Sequence, residues 1–248
     1  MSLELLDLEQ IVKDYAEDFM GSDQKRHADL ENPVIDWDKM HVLYGETKYT
    51  KPEIPPTPTS HVLFSANFMN NTPKPQTYAL RTERRTKSSC SITFTKIFSY
   101  GGGIQMKLTP PNPVIEANAG FQANLTKETS ITQTFEQELT WSVDNEISVP
   151  PGYQTKAELV IKEDSFNGEF QVLTTFEGKV VVTYETKKNK EHVSTVQVNL
   201  AKLLDRKKGF TIDEHKRPTF TVKGVCKCRF GVEQNVKLTE SVIPPNSD

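Results

Sequence analysis

Long apolar runs, a surplus of basic charge and a cysteine framework are all missing from this 248-residue chain. Only 35% of its residues are hydrophobic, well under the ~45–50% of ordinary soluble chains, and swapping the 7 tyrosines for the 12 glycines in that count changes it little. No window approaches the ~18 consecutive apolar residues of a transmembrane helix. The acidic start around Glu4, Asp7 and Glu9 lacks the basic and then apolar character of a signal peptide, so no export signal is expected. The 30 Lys+Arg against 33 Asp+Glu leave a net charge of -3, which argues against a general nucleic-acid binder, since that requires a basic face. Three cysteines cannot build a disulfide framework. Cys226 and Cys228 stand closer together than the usual zinc pairs and are read as buried thiols, with no metal and no cofactor expected. Neither H-e-x-x-H spacing among His27, His41, His61, His192 and His215 nor a G-x-S-x-G elbow is present, so no catalytic residue is assigned and an enzyme is not expected.

In place of the apolar residues stand tracts of Thr, Ser, Asn and Gln. Leu5, Leu8, Ile11, Val12, Tyr15 and Phe19 recur at helical spacing before Gly21, which predicts an amphipathic helix over 3–20. Residues 22–60 read as an irregular segment ending in Pro52, Pro55, Pro56 and Pro58. Residues 1–60 are therefore expected to be a separate N-terminal part, followed by a β-rich module over 61–248. Everything after that point has period two. The even positions of 78–98 predict one unusually long strand, and β-rich runs recur at 169–175, 179–186, 193–200 and 218–232, with a short helix possible over 199–204. The fold class is mainly β, built of long Thr/Ser-rich antiparallel strands.

The most informative stretch is 114–143. Ile115, Ala117, Ala119, Phe121, Ala123 and Leu125 alternate without exception against Glu116, Asn118, Gly120, Gln122 and Asn124. After a polar tip at 126–129 the odd positions resume as Ile131, Gln133, Phe135, Gln137, Leu139, Trp141 and Val143, opposite Thr132, Thr134, Glu136 and Glu138. An ordinary hairpin over one side of a sandwich is one reading. Length supports another: eleven residues at ~3.3 Å, tilted by ~40°, rise roughly 28 Å, the height of the apolar band a barrel strand must cross. A single hairpin has unsatisfied edges in lipid, so several copies must close into a barrel. The run Gly101–Gly102–Gly103 has no phosphate-loop pattern and reads as a corner or hinge.

With Asn70–Tyr78 leading into the long polar strand, the alternating hairpin, the T-W-S-V exit at 140–143 and I-S-V-P-P-G-Y-Q-T-K-A over 147–157, the sequence resembles the aerolysin-type β-pore-forming toxins. The likeness is to the epsilon-toxin/mosquitocidal-toxin branch, with hydralysin-like members, and covers about 62–236. It implies an elongated protein, soluble as a monomer and released to act on a target membrane. Such a protein binds an unknown surface receptor, forms a ring of about seven copies and inserts its hairpins as a transmembrane barrel. On this reading Ile115, Ala117, Ala119, Phe121, Ala123, Leu125, Ile131, Phe135, Leu139 and Trp141 face lipid. Glu116, Asn118, Gln122, Asn124, Thr132, Thr134, Glu136 and Glu138 line the lumen, and the carboxylates predict cation selectivity. Gly101, Gly102 and Gly103 are the expected hinge. Tyr15, Trp37, Tyr44 and Tyr49 are candidates for receptor contact, with cover for the first helix as the competing role. A lectin-like binding or scaffold protein that keeps the fold without the pore is the alternative function.

Overall fold

The computed structural model describes residues 3–53, 58–104, 106, 108–112, 114 and 131–244. Its spine is a single strand of 33 residues, Tyr153–Glu185, which at ~3.3 Å per residue runs roughly 110 Å. The separate runs expected at 169–175 and 179–186 are both parts of it. Numbered in chain order, the other strands are β1 (Glu4–Asp7), β2 (Val34–Asp36), β3 (Met40–Glu53), β4 (Thr59–Met69), β5 (Gln76–Ser99), β6 (Thr132–Val149), β8 (His192–Asn199), β9 (Thr211–Ile212) and β10 (Pro218–Val242), with the spine as β7. β10 pairs antiparallel along one edge of β7. β4, β3 and β2 follow one another along that strand too. β5 adds to the far side of β10 over 89–96, and β6 pairs with β5 over 76–93. The long polar strand expected over 78–98 is therefore present as β5. The mainly β architecture of long antiparallel strands is also as expected.

Strand length shows in the surface. The protein exposes 14894 Å², about a third more than the ~11,000 Å² of a compact protein of its 28.1 kDa mass. Two cores divide the interior. The larger holds α1 (Leu8–Glu17), which buries Leu8, Val12 and Ala16. It also holds a chain of rings in which Phe98 meets Phe176 and Phe220 at 5.0 and 5.8 Å, and Phe210 meets Phe176 at 5.6 Å. The smaller contains Leu80, Val143, Ile147, Val149, Ala157, Leu159 and Ile161. Between them β7 changes which residues it hides: odd positions from Thr155 to Glu163, even ones from Phe166 onward. Successive side chains of a strand point to opposite faces, so β7 buries opposite faces in the two cores. β10 makes the same change through a β-bulge between Gly231 and Glu233. Glu163 sits at this crossover, buried, and its carboxylate accepts from Arg229 Nε at 2.8 Å with His61 Nε2 3.3 Å away.

Two local expectations are corrected. The first helix begins at Leu8 rather than Leu3, because the Asp7 carboxylate caps it by accepting from the Glu9 and Gln10 backbone N–H groups. Residues 4–7 instead pair in parallel with 96–99 of β5. Nor is the stretch 22–60 mainly irregular: a short helix, α2 (Ser22–His27), opens it, and β3 runs along the same strand as β4. The short helix expected over 199–204 is present as α3 (Leu200–Leu203), capped by Asn199.

Candidate membrane-inserting strand

The alternation read from the sequence becomes geometry in β6. Phe135, Leu139 and Trp141 are half-buried and Val143, Ile147 and Val149 fully buried, whereas Thr132, Thr134, Glu136, Glu138, Thr140 and Ser142 are exposed. Phe135 lies against the larger core and Trp141 against the smaller, so one strand bridges both. Ile131, just before it, is exposed. The first half of the expected hairpin lies outside the described residues: Ile115, Glu116, Ala117, Asn118, Ala119, Phe121, Gln122, Ala123, Asn124 and Leu125. Among the described residues β6 pairs along one edge only, with β5, from Gln76 opposite Val149 to Thr93 opposite Thr132.

The exposed face of this ribbon is charged. Lys87 Nζ donates to Glu136 at 2.9 Å, Arg85 Nη1 to Glu138 at 3.3 Å and Arg81 Nε to Asp144 at 3.1 Å. The bond to Glu136 raises the Lys87 ammonium above its ordinary value. The covered face is less well satisfied. Trp141 donates its indole N–H to Thr86 Oγ1 at 2.8 Å and lays its ring over Gly231, where a Cβ would come within 2.5 Å of Trp141 Cζ2. The β10 bulge thus supplies the hollow that Trp141 fills. Gln137, half-buried on the same face, has a buried Oε1 with no hydrogen-bond partner among the described residues. An unpaired buried carbonyl of this kind costs ~1–3 kcal/mol. The two glutamines that break the apolar pattern therefore sit on the covered face, and one of them destabilises the cover.

The approach to the segment is tied down. Gly101 and Gly102 adopt φ of 58° and 85°, and Tyr100 and Gly103 exchange hydrogen bonds at 3.0 and 3.2 Å, a tight reversal that needs positive φ at both central residues. Ile104, Met106, Leu108 and Val114 beyond it are buried in the larger core. Tyr49 donates its hydroxyl to the Thr109 carbonyl at 2.7 Å, and the Thr109 N–H donates to Thr47 Oγ1 at 3.1 Å. These fastenings join residues some sixty positions apart, which is why no sequence pattern announced them.

Of the aromatic candidates, Tyr15, Trp37, Tyr44 and Tyr49 are all half-buried and all packed against the larger core. Trp37 meets Tyr100 at 5.4 Å, and Tyr49 stands edge-on to Phe166 at 5.5 Å. Burial raises the phenol pKa of both Tyr44 and Tyr49, with Tyr100 adding to the shift at Tyr44. Beside Tyr15, Phe19 is exposed, with ring centroids 4.9 Å apart.

A family model described as Clostridium epsilon toxin ETX/Bacillus mosquitocidal toxin MTX2 matches residues 40–247. No curated protein sequence matches significantly. Among solved structures, a non-toxic crystal protein from Bacillus thuringiensis is similar with a TM-score of 0.62 at 14% identity, covering 98% of this chain and 100% of that one. A chain of the Cry23Aa1 and Cry37Aa1 binary protein complex is similar with a TM-score of 0.59 at 16% identity, covering 96% of this chain and 90% of that one. At such identities the likeness is one of fold.

Proposed function

The chain belongs to the Clostridium epsilon toxin ETX/Bacillus mosquitocidal toxin MTX2 family, and from that premise we propose that it is a pore-forming toxin-like protein whose 115–143 segment enters a target membrane. A released soluble monomer binds a surface receptor, about seven copies assemble in a ring, and their hairpins close into one barrel. The observation that carries this reading is the asymmetry of β6. Its even face, with Glu136 and Glu138, is exposed to water in the monomer and stays in water as a pore lumen. Only the odd face has to exchange protein for lipid, and its present cover includes an orphaned amide oxygen.

The edge of β6 that no described strand pairs with gives the direction of assembly. Strand edges are templates for further pairing, and in hydrocarbon every backbone group must be paired. A second strand from 115–125, and then the hairpin of the next copy, would meet that requirement. The Gly101–Gly103 turn is the pivot from which the segment swings, and release of Thr109 from Tyr49 frees the chain between them. Glutamates repeated around the ring favour cations. Trp37, and separately Tyr15 with Phe19 beside it, are the aromatic side chains we assign to receptor contact.

Dye-loaded vesicles and susceptible cells test the proposal. Leakage together with large detergent-resistant oligomers is expected. Phe121→Asp and Leu125→Lys should each stop leakage while the monomer stays folded and bound, because a charge on the lipid face costs up to ~2–4 kcal/mol at midplane and recurs in every copy. Leakage that survives both changes would move the membrane segment elsewhere. Cell binding without leakage by the unaltered protein would favour a binding module that keeps the fold.

A further inference from the structure

Three sulfurs converge at the fork where β5 and β6 part from β10. Cys226 and Cys228, two residues apart on β10, point to the same side, and sheet register brings Cys90 of β5 directly opposite Cys228. Cys226 Sγ lies 3.5 Å from Cys90 Sγ and 3.3 Å from Cys228 Sγ, and all three sulfurs fall within 4.8 Å of one another. All three are buried free thiols, and β5–β10 pairing ends one residue further on, at Ser89 opposite Arg229. Three sulfurs bound to one ion at ~2.3 Å each stand roughly 3.8–4.0 Å apart, so the separations at Cys226 would widen by about 0.3–0.7 Å on binding.

The donor set selects the ion. Zinc in structural sites takes four ligands, and among the described residues no histidine or carboxylate joins the three sulfurs. Soft thiolate donors suit copper(I), which is content with three of them. We propose that Cys90, Cys226 and Cys228 form a three-coordinate site for one copper(I) ion. The ion displaces thiol protons to solvent without changing oxidation state. Phe135 of β6 pairs opposite Cys90 and Phe166 of β7 opposite Cys228, so the bound ion would be shielded from water. Tyr49, edge-on to Phe166, lines together with it an open cavity of about 600 Å³ that also includes Thr47, Thr109 and Pro110, which provides the way in. An ion held here ties β5 to β10 at the point where the β5–β6 ribbon leaves the spine.

The site is tested on the intact, fully reduced protein under anaerobic conditions, with copper(I) supplied from a chromogenic chelator. One copper(I) per chain is expected, with sulfur-to-copper charge-transfer absorption and a raised melting temperature. Losing even an outer-shell partner of a metal site costs ~10–100-fold, so Cys90→Ser, Cys226→Ser and Cys228→Ser, each removing a direct donor, should weaken binding by at least ~10-fold. Circular dichroism on the copper-free variants checks that they remain folded. If folded protein with three titratable thiols takes up no copper(I), or if Cys90→Ser binds it as tightly as before, the site does not exist. Displacement of the copper by an equal concentration of zinc(II) would overturn the three-coordinate assignment.

Discussion

At the scale of single residues, Gln137 gives the sharpest test of how β6 is held. Its Oε1 is buried without a partner among the described residues, and leucine of similar volume removes that group. Gln137→Leu should therefore stabilise the monomer by ~1–2 kcal/mol, part of the ~1–3 kcal/mol that an unsatisfied buried acceptor costs. For a chain of this size that raises the melting temperature by roughly 2–8 °C. Urea midpoints measure it, and an unchanged or lower midpoint would mean that the amide is partnered in solution. The sequence marks Gln133 and Gln137 as breaks in the apolar face of 131–143, but it cannot say what they break. That depends on β10, ninety residues further along, whose bulge at Gly231 makes room for Trp141 beside them. The same distance hides Cys90 from its partners: the two-residue spacing of Cys226 and Cys228 is local and readable, whereas the register that adds the third sulfur is not.

At the scale of elements, periodicity is readable and pairing is not. Strict alternation located β6 and the long β5, because a half-buried strand carries its inside and outside in its own sequence. It did not give the partner of β6, which is β5 among the described residues. It also split β7 at 176–178, where exposed Gly178 at φ 92° interrupts the pattern, and missed its first part, before the strand changes the parity it buries near Asp164 and Ser165. The expected helix start failed for a simpler reason, since an apolar repeat does not register a cap and Asp7 starts the helix five residues late. The exposed face of the β5–β6 ribbon allows the pore reading to be separated from the fold. Glu136 and Glu138 make ion pairs at exposed positions, and exposed pairs contribute only ~0–1 kcal/mol. The double change Glu136→Gln with Glu138→Gln removes two such pairs and should lower the thermal midpoint by no more than about 4–8 °C, given ~2–4 °C per kcal/mol. In planar bilayers the unaltered protein should show a reversal potential favouring cations, and the double variant should lose most of that preference. A preference for chloride in the unaltered protein would remove these carboxylates from the lumen.

At the scale of the molecule, the two cores are unequal, and the inequality sets which part moves first. The smaller core has seven fully or nearly fully buried residues and gathers β6, β5, β4 and part of β7. The larger contains the first helix, the phenylalanine chain and the rest of the spine. Local opening follows the parts with least buried apolar contact, so the β5–β6 ribbon should open while residues 166–182 of β7 stay closed. Hydrogen exchange tests this at two levels. In the free monomer, amides over 132–141 should exchange well before those over 166–182. Among the described residues β6 is paired with β5 alone, and an antiparallel neighbour bonds only alternate N–H groups, so β5 protects about half of the β6 amides. A closed barrel bonds every one of them. On adding susceptible membranes, protection over 132–143 should therefore rise and extend to the amides that exchanged freely before, while 166–182 keeps its protection. If 166–182 loses protection as leakage begins, insertion proceeds by unfolding of the whole chain and not by release of one ribbon.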